Sequence, residues 1–429
     1  MTQQELLFDC LKASASAFAC VEYNLERLKK AGFEELDYKE AWDLKKGGKY
    51  VMKHYGTTLY AFSIGEEYES CDAIRMAAAH TDYPCLRIKP KADFKTEGYA
   101  QVNLEVYGGP ILNTWYDRPL GVAGRVIIRT KDAFAPKQVL YTSKKPLMII
   151  PNLAIHMNRE VNDGVKINKQ VDLMPVVDIT TGEELSQDYF LDYIAEELKV
   201  EKKDILDFEL NTFLFEEPSY VGIADTMISA PHLDNHTSVV GCVSALIDSQ
   251  AKKGIHLIAL FDHEEIGNRS KQGAASFFTR DLLVRILRSL GCGEEEIDRS
   301  IYGGMLLSVD VAHGLHPNKK EKMDITNHPV LGKGFCIKSA CSQSYATDAE
   351  AISILMGICD EKQIPYQRFV NRSDVVGGGT LGGVASTILP MNTVDIGIPL
   401  LGMHSARELM AAADMDSLKD AITAYFNYL

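Results

Sequence analysis

The chain has 429 residues, 46% of them hydrophobic and 24% charged, with a formal net charge of −14. This length exceeds what one simple core holds, and the composition is that of a soluble globular protein of about two to three domains. The acidic balance argues against nucleic acid and anionic membrane as partners, since no basic patch of useful size offsets phosphate repulsion.

The opening residues Met1-Thr2-Gln3-Gln4-Glu5 have neither the basic stretch nor the apolar core of a signal peptide, and no run approaches the roughly 20 apolar residues of a membrane span. A cytoplasmic location is expected. The nine cysteines are scattered, odd in number and without a C-x-x-C pair, the pattern of small buried hydrophobes in a reducing compartment.

In chain order, residues 2–32 place Leu6, Leu7 and Leu11, then Phe18, Val21, Leu25 and Leu28, at helical spacing. Residues 50–64 and 73–79 read as strands, the second ending at His80-Thr81-Asp82. A histidine there is ordinarily a loop residue. An Asp two positions on, however, is the kind of carboxylate that orients a ligating imidazole through its other nitrogen.

Between 91 and 229 the texture changes to short alternating runs (101–106, 124–130, 138–142, 147–151) separated by turn residues, which predicts a compact, mostly β unit. It is expected to be inserted into one αβ domain built from residues 1–90 and 230–429. In the second half, 238–252, 277–290, 349–361 and 405–413 read as helices. Residues 255–260, 305–311 and 393–399 read as buried strands, Asp310 lying near the end of one and His404 in the loop before the last helix.

The organising stretch is Phe261-Asp262-His263-Glu264-Glu265, which continues a six-residue buried strand straight into three acids. A folding core would not choose that combination. Neighbouring residues of an extended chain point to opposite sides, so Glu264 and Glu265 are expected to divide the work, one binding a metal and one facing a cleft as a base.

Ligand crevices of open αβ sheets lie at the carboxyl ends of strands, so His80, Asp234, Glu265, Asp310 and His404 can converge. Five nitrogen and oxygen ligands without a thiolate suit zinc, cobalt or manganese. If one carboxylate bridges two ions, each keeps an open position, as in catalytic sites. Gly377, Gly379 and Gly382 formally fit a dinucleotide motif, but no βαβ pattern surrounds them and they read better as a cleft loop.

His80-Thr81-Asp82, Leu233-Asp234-Asn235, Asp262-His263-Glu264-Glu265-Ile266-Gly267, Ser308-Val309-Asp310-Val311-Ala312-His313 and Gly402-Met403-His404-Ser405 resemble the motif series of the aspartyl aminopeptidase and aminopeptidase I family of dinuclear zinc exopeptidases. The likeness spans essentially the whole chain in order.

It implies a three-layer αβα metallo-exopeptidase domain with a central mixed sheet, carrying an inserted, mostly β dimerisation domain. It also implies two Zn2+ per subunit (Co2+ or Mn2+ being possible), one held by His80, Asp234 and Asp310, the other by Asp234, Glu265 and His404. Asp82 would orient His80, Glu264 would be the general base acting on a water shared by the ions, and the Asp234-Asn235 peptide would be cis.

His156 would reach the partner's active site in a homodimer that builds a tetrahedral homododecamer. His313 and Tyr345 would contact the peptide substrate, and Lys338 would favour an acidic first residue. Aminopeptidases of the family preferring neutral residues are one alternative. A related dinuclear-zinc deacylase or dipeptidase is another, and activity on N-acetylated substrates would point to the deacylase.

Overall fold

The computed structural model describes residues 1–164, 166–180 and 186–428. Two compact units emerge, one comprising Met1–Tyr83, Pro218–Met403 and Glu408–Leu429, the other Pro84–Glu217 with His404–Arg407. The main segment of the second unit thus begins before Lys91 and ends before Ser229, and His404–Arg407 joins it from the far end of the chain.

The first unit is mixed α/β around a nine-stranded sheet. Its strand order is Glu34–Glu35, Lys49–His54, Thr58–Ile64, Ile255–Phe261, Ile74–His80, Met305–Val309, Asn392–Gly397, Phe335–Ser339 and Tyr366–Val370. Ile255–Phe261 pairs in parallel with Ile74–His80 and antiparallel with Thr58–Ile64, which makes the sheet mixed.

Alternation along the strands divides the core in two. Ile258, Leu260, Ala77, Ala79, Leu307 and Val309 pack on one face with helices Gln3–Ala13, Ala17–Lys30, Leu233–Asp248, Ala349–Lys362 and Asp414–Asn427. Leu257, Ala259, Phe261, Met76, Ala78 and Leu306 pack on the other with Phe278–Ser289, Glu294–Tyr302 and Leu381–Ile388. Covering both faces gives three layers and explains why the central strands are predominantly apolar. Each fully buried leucine or isoleucine contributes about 1.5–3 kcal/mol.

The amino-terminal helices start where their caps dictate. Thr2 and Glu5 form a reciprocal capping box, and the Ser16 hydroxyl accepts the Ala19 N–H.

Three sequence readings need correction. Residues 50–64 are a hairpin, with Tyr55 and Gly56 at positive φ in the turn. Residues 405–413 are not a helix: Glu408–Ala411 is a strand paired antiparallel with Met227–Ala230, and the helix follows at Asp414–Asn427. Glu, Leu, Met and Ala all favour helices, but burying Met410 against the sheet overrides that preference. Residues 147–151 contribute only isolated bridges.

The second unit is a six-stranded antiparallel sheet in the order Lys137–Thr142, Leu120–Ile128, Ile205–Leu214, Cys85–Thr96, Tyr99–Tyr107, Val176–Ile179. It also carries the helix Tyr189–Leu198, which the turn-rich texture concealed. Gly124 permits a close backbone approach, since a Cβ there would lie 1.9 Å from the Glu209 carbonyl oxygen. No helix among the described residues is long and apolar enough to cross a membrane.

Candidate metal centre

His80 closes its strand directly opposite Phe261, and the Thr81 N–H donates to the Phe261 carbonyl at 2.7 Å. The acids beyond Phe261 therefore leave the sheet beside the histidine. They do so through His263 at φ 64° and a 3-10 turn over Glu264–Ile266, so it is this turn, rather than strand pleating, that aims Glu264 and Glu265.

Asp82 ties the two segments together. One of its carboxylate oxygens accepts the Glu264 N–H at 3.1 Å and the other the Glu265 N–H at 3.2 Å. His80 Nδ1 lies 3.1 Å from the Asp82 carbonyl and 3.4 Å from its Oδ1. The opposite ring nitrogen, Nε2, faces Asp234 Oδ1 at 3.4 Å and Asp310 Oδ1 at 3.5 Å.

Asp310 follows Met305–Val309, its N–H donating to the Ile396 carbonyl at 2.8 Å and its Oδ1 accepting the Val311 N–H at 2.7 Å. Asp234 stands at a kink where Leu233–Asp248 departs from helical geometry, and its peptide to Asn235 is cis. The Asp234 N–H donates to Glu408 Oε2 at 3.0 Å, and Asn235 Nδ2 donates to the Val309 carbonyl at 2.9 Å.

Ligand atoms of His80, Asp234 and Glu265 all lie within 4.8 Å of one another. Donors about 2.0–2.1 Å from one tetrahedral zinc stand about 3.3 Å apart, close to the His80–Asp234 and His80–Asp310 spacings. One imidazole with several carboxylates and no thiolate is also the right chemistry for zinc.

The electrostatics ask for a cation. Burial pushes Glu264 up to about 8, aided by the charges of Asp310, Asp82 and Asp234 against the opposing pull of His80. Burial and the neighbouring Asp234 likewise raise Glu265 well above the carboxylate range. Burial disfavours charge on His80, yet hydrogen bonding to Asp234, Asp310 and Asp82 carries its pKa well above that of a free imidazole.

Beside this cluster, Lys338 is buried and donates to the Val311 carbonyl at 3.1 Å, with its ammonium 5.0 Å from the centre of the Tyr345 ring. Tyr345 is buried and its hydroxyl accepts from Asn371 Nδ2 at 3.4 Å. His313 is exposed, its ring 6.0 Å from that of Phe369.

The first unit thus brings together His80, Asp82, Asp234, Glu264, Glu265 and Asp310, with Lys338 and Tyr345 adjoining. The second unit carries His156, in an exposed turn, and His404, at φ 65° with Nδ1 3.1 Å from the Gly109 carbonyl.

Sequence reasoning passed over Glu408 and Asp395. Glu408 sat in a segment read as helix, and Asp395 was one acid within an apolar strand, which is itself a signal that a buried charge is needed there. His232 and His236 are buried. His232 stacks on Tyr83 at 3.4 Å, and burial lowers His236 to about 4.

A buried imidazole and carboxylate cluster, with one further glutamate poised beside it, is the donor set that a metal-dependent hydrolase would use. The family model described as aminopeptidase I zinc metalloprotease (M18) matches residues 10–426.

Among similar proteins, a probable M18 family aminopeptidase 2 of Clostridium novyi is 43% identical over 409 residues, covering 95% of this chain and 94% of that protein. Another, of Clostridium acetobutylicum, is 40% identical over 422 residues and covers 98% of both. Among solved structures, Ape4 in a cryo-EM complex with Nbr1 superposes with a TM-score of 0.95 at 31% identity, covering 99% of this chain and 85% of that one. The chain belongs to the M18 aminopeptidase family, and is a zinc metallopeptidase.

Proposed function

We propose that this enzyme removes amino-terminal residues from peptides, preferring Asp or Glu, with His80, Asp234, Asp310, Glu265 and His404 as ligands for two zinc ions. The observation that carries this reading is the Asp82 carboxylate, which receives the N–H groups of both Glu264 and Glu265 while lying against His80 Nδ1. One side chain thereby fixes a base, a ligand and the orientation of a second ligand.

Zinc, when bound, would supply Lewis acidity and make water acidic enough to be deprotonated near neutral pH. Glu264 would accept the proton of the attacking water and deliver it to the leaving amine. Lys338, held charged beside Asp310, would pair with the carboxylate of an acidic first side chain, while Tyr345 and His313 line the approach.

His156 would serve a neighbouring subunit, donating to the oxyanion of the tetrahedral intermediate. Supporting this is the exposure of Leu153, Ile155 and Met157 around it, an apolar surface suited to burial between subunits. The assembly is then a homodimer repeated into a homododecamer that admits only peptides. Mixing inactive His156→Ala and Glu264→Gln subunits should restore part of the activity, whereas no recovery would return each site to a single chain. The free thiols, mostly buried, suit a reducing, cytoplasmic setting.

The test is zinc content measured together with kinetics on a panel of aminoacyl p-nitroanilides, with and without chelator. Two ions per subunit, chelator-sensitive turnover and a glutamyl or aspartyl preference are expected. A leucyl preference would move the enzyme to neutral substrates, and fewer than two ions would remove the paired centre.

A further inference from the structure

Asp395 is fully buried in the strand Asn392–Gly397, surrounded by segments that carry the residues assigned to substrate. Its Oδ1 accepts from the Ser308 hydroxyl and from Thr380 Oγ1 at 2.6 Å, and its Oδ2 accepts the Ala346 N–H at 2.7 Å. Its own N–H donates to Thr347 Oγ1 at 2.9 Å. Ser308 lies two residues before Asp310, Ala346 and Thr347 follow Tyr345, and Thr380 closes the glycine-rich loop. Gly382 leaves the room this requires, since a Cβ there would stand 2.7 Å from Asp395 Oδ2 and from the Ser308 hydroxyl oxygen.

Across the sheet, Phe335–Ser339 pairs antiparallel with Asn392–Gly397 through Cys336 with Gly397 and Ile337 with Ile396. Continued by one residue, that register sets Lys338 opposite Asp395, with both side chains on one face. Burial raises the Asp395 pKa while Lys338 opposes that rise, and Asp310 and Asp395 together hold Lys338 charged against its own burial.

A sheet interior has no need of this charge. Well-packed apolar residues commonly serve as well as a buried ion pair or better. The hydrogen bonds from Ser308, Thr380 and Ala346 offset the desolvation of the carboxylate, and what it returns is a negative charge across the sheet from Lys338 that favours the lysine's protonated form. Val311 takes one of the three ammonium hydrogens, which leaves others to meet an anionic side chain.

We infer that Asp395 is a positioning residue for the substrate pocket, setting the preference for an acidic first residue through Lys338. This rests on the reading that Lys338 meets the first side chain of the substrate, and the test separates the two.

Zinc-loaded wild type, Asp395→Asn, Lys338→Met and the double variant are compared on glutamyl and leucyl p-nitroanilides. Asp395→Asn is expected to lower the glutamyl-to-leucyl ratio of kcat/KM by about 10-fold, chiefly through KM for the glutamyl substrate, and to change that ratio by less than about 2-fold once Lys338 is Met. Equal losses on both substrates, or an undiminished effect in the Lys338→Met background, would overturn the inference and leave Asp395 a purely structural group.

If Lys338→Met collapses the ratio and Asp395→Asn does not, only the inference fails. If Lys338→Met leaves the ratio intact, the pocket reading fails first and takes the inference with it. Should Asp395→Asn not fold, Thr380→Val removes one of its hydrogen bonds and is expected to lower the ratio by about 3-fold; an unchanged ratio there overturns the inference as well.

Discussion

In the nine-stranded unit the charges of the candidate centre are buried: His80 is 1% exposed, Asp234 3%, Asp82 4% and Asp310 7%. In the six-stranded unit, charges meet in partly open pairs such as Arg118–Glu216, with side chains 39% and 25% exposed, and Arg125–Glu209, at 16% and 40%. Water screens the second kind and barely reaches the first. The buried cluster is one that burial alone would disfavour, as the proposed metal site requires, while the surface pairs adjust a sheet that its hydrogen bonds and apolar face already hold together.

The largest expected effect of breaking a charge in the first unit is at Glu264. Glu264→Gln should lower kcat by about 10^3-fold with zinc content unchanged, because the isosteric amide cannot accept a proton. Stopped assays beside metal analysis would check this, and near-normal turnover would take the general-base role from Glu264.

How much of this contrast is legible in the sequence differs between the units. The buried strand running into Asp262, Glu264 and Glu265 stands out because a core strand does not carry acids past its end unless they are put to use, and the first unit's helices announce themselves by apolar spacing. Glu408 is hidden because its segment is rich in helix formers and only pairing with Met227–Ala230 makes it a strand. The helix Tyr189–Leu198 is hidden in a stretch dominated by alternation. The cis peptide after Asp234 has no local signal in composition or periodicity, and comes into view only through the motif resemblance.

A second test concerns a buried carboxylate of the same unit outside the centre. Asp414 is 1% exposed, opens the helix Asp414–Asn427, and accepts the Gly332 and Gly334 N–H groups at 2.8 and 2.9 Å. Burial raises its pKa from the ordinary 3.8 to about 6, against the pull of those two donors. Since the folded value lies above the unfolded one, its contribution to stability is fully present below about pH 4 and is lost as pH rises through about 6. A rise of that size corresponds to about 3 kcal/mol. Asp414→Asn should flatten the fall in unfolding free energy between pH 3 and 7.5 by about that amount, and an identical slope in the variant would place the titration elsewhere.

Next in size is Lys338. Lys338→Met keeps the length and apolar stem of the side chain but removes the charge. The ratio of kcat/KM for glutamyl over leucyl anilide should fall by about 10- to 100-fold, the range expected for losing one desolvated charge pair. An unchanged substrate profile would mean that the buried ammonium serves the fold instead, as its bond to the Val311 carbonyl alone would allow.

The smallest effect belongs to the second unit and completes the contrast. Arg125 holds Glu209 through Nε at 2.9 Å and through a second contact from Nη2, and also donates to Gln138 at 3.0 Å. Its distances are as favourable as any in the metal centre. Geometry, however, does not set the magnitude when solvent competes for both partners. Arg125→Ala should destabilise the protein by less than about 1 kcal/mol, and part of that loss should disappear in high salt. Thermal unfolding at two ionic strengths would measure both. A loss of several kcal/mol that salt leaves untouched would mean that Glu209, beside the Gly124 close approach, behaves as a buried charge, and that the two sheets differ less than their exposure implies.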